Sequence, residues 1–184
     1  MDRSIPAIIT ALVLLGLLAL MLRSWRRRSR RDAALTAGYP RPDEAAADEI
    51  SLATAEAYYV ATTPRDTPLE RLAIPGLGFR ARAALTVSAT GVTVDLDGNA
   101  PLYIPAQAID GVGAAQVAID RVVETDGLVR LSWRLNSPAS AADRRAVDSF
   151  FRIIDPNDRA RLVDSIRTTA ATATGPAAHD ESEA

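Results

Sequence analysis

The side chains in this 184-residue chain best equipped to bind something are arginines, and they fall in two places. Arg23, Arg26, Arg27, Arg28, Arg30 and Arg31 crowd together near the N-terminus, while Arg80 and Arg82 alternate along an expected strand. A guanidinium is a rigid fork of donors that fits phosphate or carboxylate oxygens. Two of them at i and i+2 of a strand project from one face, a geometry that can hold an anionic group. Arg65 and Arg71 lie in the same region, but Asp66 and Glu70 interleave with them. A solvated strand face is therefore the competing reading of Arg80 and Arg82. The arginines at 23, 26, 27, 28, 30, 31, 80 and 82 are the candidate contacts for anionic lipid.

Other chemistry is poorly supplied. Cysteine is absent, which excludes disulfides, thiolate metal sites and a thiol nucleophile. The single histidine, His179, sits in a polar C-terminal stretch, so a Ser-His-Asp triad would have to recruit it from there. Asp95 and Asp97 are paired carboxylates, but acid–base work needs a cleft and shifted proton affinities. A hairpin end beside Gly98 offers neither. Gly76-Leu77-Gly78 and Gly111-Val112-Gly113 lack the strand–helix context and the lysine of a phosphate loop, and read as turn and strand-start glycines. No HExxH, GxSxG or metal-ligating cluster is present. The expectation is a non-enzyme with no catalytic residue, no cofactor and no metal.

These residues must be positioned by a chain of ordinary globular composition, 48% apolar and 24% charged. All 21 basic residues are arginine, and the net charge of −2 hides an asymmetry. Residues 1–31 hold seven arginines and one acid, whereas residues 32–184 are net acidic. A basic block beside an apolar segment, with an acidic remainder, argues against nucleic acid as a partner.

The apolar segment is IPAIITALVLLGLLALML, Ile5–Leu22, without a charge. As a helix it spans about 27 Å, close to the roughly 30 Å hydrocarbon core. Pro6 falls in the first turn, Trp25 at interfacial depth, and Gly16 is no GxxxG face. A cleaved signal peptide would need a basic leader and a small-x-small site after the core; here Arg23-Ser24-Trp25-Arg26 follows directly. A retained single span is expected. One arginine precedes it and six follow, so the positive-inside rule predicts the N-terminus outside and the rest cytoplasmic, at the plasma membrane.

The expected organisation is a transmembrane helix at 5–22, a basic juxtamembrane stretch and polar linker at 23–56, a domain at 57–170 and a disordered tail at 171–184. The linker holds Pro40, Pro42 and a run of acids, with a short helix conceivable over Glu44–Ala55. In the domain, Tyr58–Thr63 reads as the first strand. Phe79–Ser88 follows, with Phe79, Ala81, Ala83, Leu85 and Val87 facing inward. Val92–Leu96, Leu102–Ile104, Val112–Ile119, Leu128–Leu135 and Ala146–Ile154 complete seven strands. Turns are expected at Ala89-Thr90-Gly91, Asp97-Gly98-Asn99 and Asp126-Gly127, and a loop at Asn136–Ala142. Asp155 is an N-cap, Pro156 the first helical residue, and Leu162, Val163 and Ile166 the apolar stripe of a closing helix.

Seven antiparallel strands and one C-terminal helix make a mainly β (α+β) barrel or sandwich that resembles the pleckstrin-homology (PH) superfold. The residues carrying the likeness are GLGFRARAALTVSATGV (76–92), LYIPAQAI (102–109), IDRVVETDGLVRLSWRL (119–135) and FFRIIDPNDRARLVDSI (150–166). With its anchor, the chain resembles a family of small actinobacterial membrane proteins with one N-terminal helix and a PH-like cytoplasmic domain. That resemblance implies a fold and a place but no reaction. The expected role is a membrane-tethered interaction module with a protein partner at the cytoplasmic face. The alternatives are an anionic-lipid or envelope-sensing domain, and an accessory subunit of a transport system.

Overall fold

The computed structural model describes residues 4–32, 38–41, 50–67, 69–72, 74–115, 117–118, 121–122, 127–136 and 145–174. The Glu44–Glu49 part of the conceivable linker helix, Asp126, the loop after Asn136 and the tail from residue 175 with His179 lie outside the described residues.

Helix α1 runs Ser4–Asp32. It continues ten residues past the expected end at Leu22, because no proline or glycine interrupts the arginine-rich stretch and arginine is a good helix former. Its segment Ile8–Arg27 has a mean hydropathy of 2.1 and none of it is buried by the rest of the chain. By length and composition it can cross a membrane.

The strands are β1 Ala53–Pro64, β2 Ala81–Val87, β3 Gly91–Leu96, β4 Leu102–Pro105, β5 Ile109–Ala115, β6 Val117–Ala118, β7 Arg121–Val122, β8 Leu128–Arg134 and β9 Ala146–Ile153. Seven of them form one antiparallel sheet in the order β4-β3-β2-β1-β9-β8-β5, and β6 pairs with β7. Helix α2, Pro156–Thr174, packs on β1, β5, β2 and β3. This is the expected PH-like barrel capped by a C-terminal helix.

Alternation places the core where the sequence pattern predicts it. Ala83, Leu85 and Val87 of β2, Val92, Val94 and Leu96 of β3, and Val129, Leu131 and Trp133 of β8 are all buried in one cluster. Leu162 and Ile166 of α2 join them, with Val163 at the margin. The Asp155 carboxylate accepts from the backbone N–H of Asn157 at 2.7 Å and of Asp158 at 3.3 Å, the N-cap expected there.

Four expectations are corrected. First, β1 begins at Ala53, not Tyr58. Alanine and glutamate are weak strand formers, but Ala55 and Ala57 face the core while Thr54 and Glu56 face water, so burial overrides propensity. No helix therefore reaches Ala55. Second, Phe79 is 86% exposed. The turn around Gly76, whose φ of 85° favours glycine, breaks the alternation before β2 starts at Ala81. Third, a single 3-10 turn at Ala106–Ala108 leads into β5 at Ile109, three residues ahead of the expected start at Val112, and the pairing with β8 ends at Ala115. Fourth, α2 carries on through residues 171–173 to Thr174, into the stretch assigned to the tail. Alanine suits a helix, and Thr172 bonds back to the Thr168 carbonyl at 2.9 Å.

One bulge matters for the interior. The register of β1 against β9 shifts between Tyr59 and Ala61. On a regular strand residues i and i+3 face opposite sides; the extra residue lets Tyr59 and Thr62 both face inward. The Tyr59 hydroxyl lies 2.9 Å from both Thr62 Oγ1 and the Leu77 carbonyl. Thr62 Oγ1 is 2.7 Å from Ser149 Oγ, which accepts from the Trp133 indole N–H at 2.9 Å. A carbonyl only accepts, so the Tyr59 proton serves Leu77, and the chain of donors runs Trp133, Ser149, Thr62, Tyr59, Leu77 with every member satisfied. Burial pushes the Tyr59 hydroxyl well above the usual phenol range, partly offset by Thr62 and the Arg71 charge.

Candidate functional site

Arg80 and Arg82 are brought together. They line one shallow groove of about 380 Å³ with Tyr58, Tyr59, Val60 and Ala81. Arg80 stands just ahead of β2, and Arg82 is an exposed residue within it. The register extends the site in a way the sequence did not reveal. Arg82 is opposite Tyr58 on β1, and Tyr58 is opposite Arg152 on β9. Adjacent strands set such residues about 5 Å apart. An exposed row Arg82–Tyr58–Arg152 therefore crosses three strands, a phenol ring between two guanidiniums. Phe79, fully exposed beside Arg80, adds an apolar edge. Such a row offers donors and ring edges to an anionic group, and nothing in it is set up for bond making.

Arg65 and Arg71 are not part of that surface. Arg71 donates to the Gly78 carbonyl at 3.2 Å and to the Val60 carbonyl at 2.8 Å, stapling the β1–β2 loop to β1. Leu72, Ile74 and Leu77 of that loop enter the core beside it. Arg65 pairs with Asp110 at 2.9 Å and Asp148 at 3.6 Å, while Arg134 reaches Asp110 at 3.3 Å and Ser132 donates to Asp148 at 2.7 Å. One ionic network thus ties the residue after β1 to β5, β8 and β9.

The juxtamembrane arginines belong to α1. Positions 23, 26, 27, 30 and 31 recur at i, i+3, i+4, i+7 and i+8, the spacing of one helix face. The side chains of Arg23, Arg26 and Arg27 are exposed, and the structure describes only the backbone at Arg28, Arg30 and Arg31. Asp95 in β3 and Asp97 just after it are both exposed. Gly111 and Gly113 lie in β5 opposite Ser132 and Arg130, so they form no phosphate loop. Among the described residues no three His, Cys, Asp or Glu side chains cluster as metal ligands.

A second feature escaped the sequence reading. Tyr39, in the segment read as linker, pairs with Tyr103 on the outer side of β4, its N–H donating to the Tyr103 carbonyl at 3.0 Å. Its hydroxyl donates to the Arg134 carbonyl at 2.8 Å, and Asn136 Nδ2 donates to the Gly38 carbonyl at 3.2 Å. The signal was present: Tyr39 is the one aromatic residue between Trp25 and Tyr58. Its neighbours Pro40 and Pro42 masked it as linker.

A search of curated proteins finds no match. A chain of the solved structure titled "The 8S snRNP Assembly Intermediate" aligns with 81% of this chain and 98% of its own, at 8% identity and a TM-score of 0.47. The model of a family described as bacterial PH domain-like matches residues 37–167. That match takes in the docked Tyr39, all seven strands of the large sheet and most of α2, and the chain belongs to the bacterial PH domain-like family.

Proposed function

We propose that this protein is a membrane-anchored interaction module, non-enzymatic, whose PH-like domain recruits or holds a protein partner at the cytoplasmic face of the plasma membrane. The observation that carries the reading is one chain joining an unburied, span-length helix to a PH-like sheet with an open edge. Among the described residues, strand β5 is paired only with β8 in that sheet, whereas the outer side of β4 takes Tyr39. A partner strand adding to β5 would gain backbone hydrogen bonds at once. The anchor raises the local concentration of the domain for partners in the same membrane. Arginines following the apolar segment, in the last turns of α1, favour the orientation with the domain inside.

The test is photo-crosslinking in native membranes from Ala114, an exposed residue of β5. One discrete protein adduct, lost when residues 1–31 are deleted, is expected. Diffuse labelling of bulk membrane proteins, unchanged by the deletion, would contradict the reading.

A second reading is favoured by the Arg82–Tyr58–Arg152 row: the domain binds anionic headgroups, aided by the arginines at 23, 26, 27, 28, 30 and 31. Near an anionic surface each contributes about 1 kcal/mol. Arg80→Ala with Arg82→Ala should then weaken salt-sensitive binding of the protein's domain to anionic liposomes. Unchanged binding would leave the row as a solvated face.

A further inference from the structure

The chain leaves α1 at Asp32 and is seated on the domain again at Gly38. Residues 38 and 39 are held by three hydrogen bonds to two different elements, the outer side of β4 and the end of β8. Tyr39 also packs against the main core. At Gly38 a Cβ would come within 2.9 Å of Leu102 Cδ1, so the backbone there lies directly on β4. This segment closes one edge of the sheet and ties it to β8, well ahead of the first strand in the sequence.

We propose that Gly38–Tyr39 is a latch that keeps the PH-like domain on a short leash, with its β4 edge held next to the bilayer. The inference rests on the anchored reading above and adds geometry to it. Six Cα steps separate Asp32 from Gly38, which reach at most about 20 Å, added to the roughly 15 Å by which α1 continues past Leu22. Without the latch the next hydrogen bond to the sheet among the described residues is at Leu52, whose N–H donates to the Val87 carbonyl. The reach would then be about 70 Å, and a domain about 35 Å across could tumble freely. With the latch, the side of the domain far from Tyr39 meets the membrane only if the leash is fully extended. The β4 edge, with the exposed Arg41 and Gln107 beside it, faces the headgroups. Strand β5 and the Arg82–Tyr58–Arg152 row are left for other partners.

The absence of cysteine makes the test direct. Full-length protein carrying Gln107→Cys or Ile154→Cys is labelled with one fluorophore and reconstituted into neutral phospholipid vesicles with a headgroup-attached quencher. Gln107 lies beside the latch. Ile154 lies past the far end of β9, about 25 Å along the strand from Ala146, the partner of Arg134. Quenching is expected to be stronger at 107 than at 154. That difference should vanish when a ten-residue Gly/Ser segment is inserted between Thr36 and Ala37, which lengthens the leash and leaves the latch intact. Tyr39→Ala should erase it too; the insertion keeps the test meaningful if that variant fails to fold. Equal quenching at both positions in the native sequence, or an unchanged difference after insertion, would overturn the latch. Protein that does not float with the vesicles at all would overturn the anchored reading, and the leash with it.

Discussion

Tyr59 shows how much one buried hydroxyl carries. Its proton serves the Leu77 carbonyl and its oxygen accepts from Thr62, so Tyr59→Phe leaves two polar groups short of partners. A loss of about 1–3 kcal/mol is expected, read as a lower midpoint in thermal unfolding. The same variant has a signature in pH. The folded state holds the Tyr59 proton above the point, about pH 10, at which an unfolded tyrosine releases it. The stability this adds is complete below pH 10 and is lost as pH rises beyond it, because the unfolded state gains by ionising. Native protein should therefore lose stability more steeply above pH 10 than Tyr59→Phe does; parallel curves would show that the phenol is not sealed. Thr63 is the opposite case. Its Oγ1 is buried and, among the described residues, has no hydrogen-bond partner. Thr63→Val keeps the shape and removes the unmet group, so it should be neutral or stabilising by about 1 kcal/mol.

At the scale of elements, close approach and turn chemistry decide the architecture. A Cβ at Gly91 would lie 2.3 Å from the Ile104 carbonyl oxygen and 2.9 Å from Pro105 Cα, both backbone. Gly91→Ala must therefore push β3 from β4, at a cost on the order of 3 kcal/mol; a midpoint unchanged in denaturant would refute that contact. Strands with large alternating residues, such as Val92–Leu96 and Leu128–Leu135, were legible in the sequence because period-two burial is written in side-chain size. The helix start at Asp155-Pro156 was legible because capping is local. The early start of β1 was not, since alanine carries no strand signal and only α2 and the neighbouring strands bury it. The candidate site was half legible for the same reason. Arg80 and Arg82 are two apart in sequence, whereas Tyr58 and Arg152 join them through register, and Tyr39 reaches Arg134 across 95 positions.

The whole molecule joins one apolar helix to a PH-like domain, closed by α2 at its C-terminal side and by Tyr39 at its N-terminal side. Among the described residues the outer side of β5 takes no strand, and the arginine row faces away from the core. In the proposed reading, charge sets the direction of the whole, with one arginine before the apolar segment Ile5–Leu22 and six after it. The proposed placement, with this domain inside the cell and fixed to the membrane, is tested by the accessibility of a single cysteine. Ser182→Cys in the otherwise cysteine-free chain should remain unlabelled by an impermeant maleimide in intact cells. Labelling should appear only after permeabilisation, with the protein wholly in the membrane fraction. Labelling before permeabilisation, or a soluble and shortened product, would contradict the account.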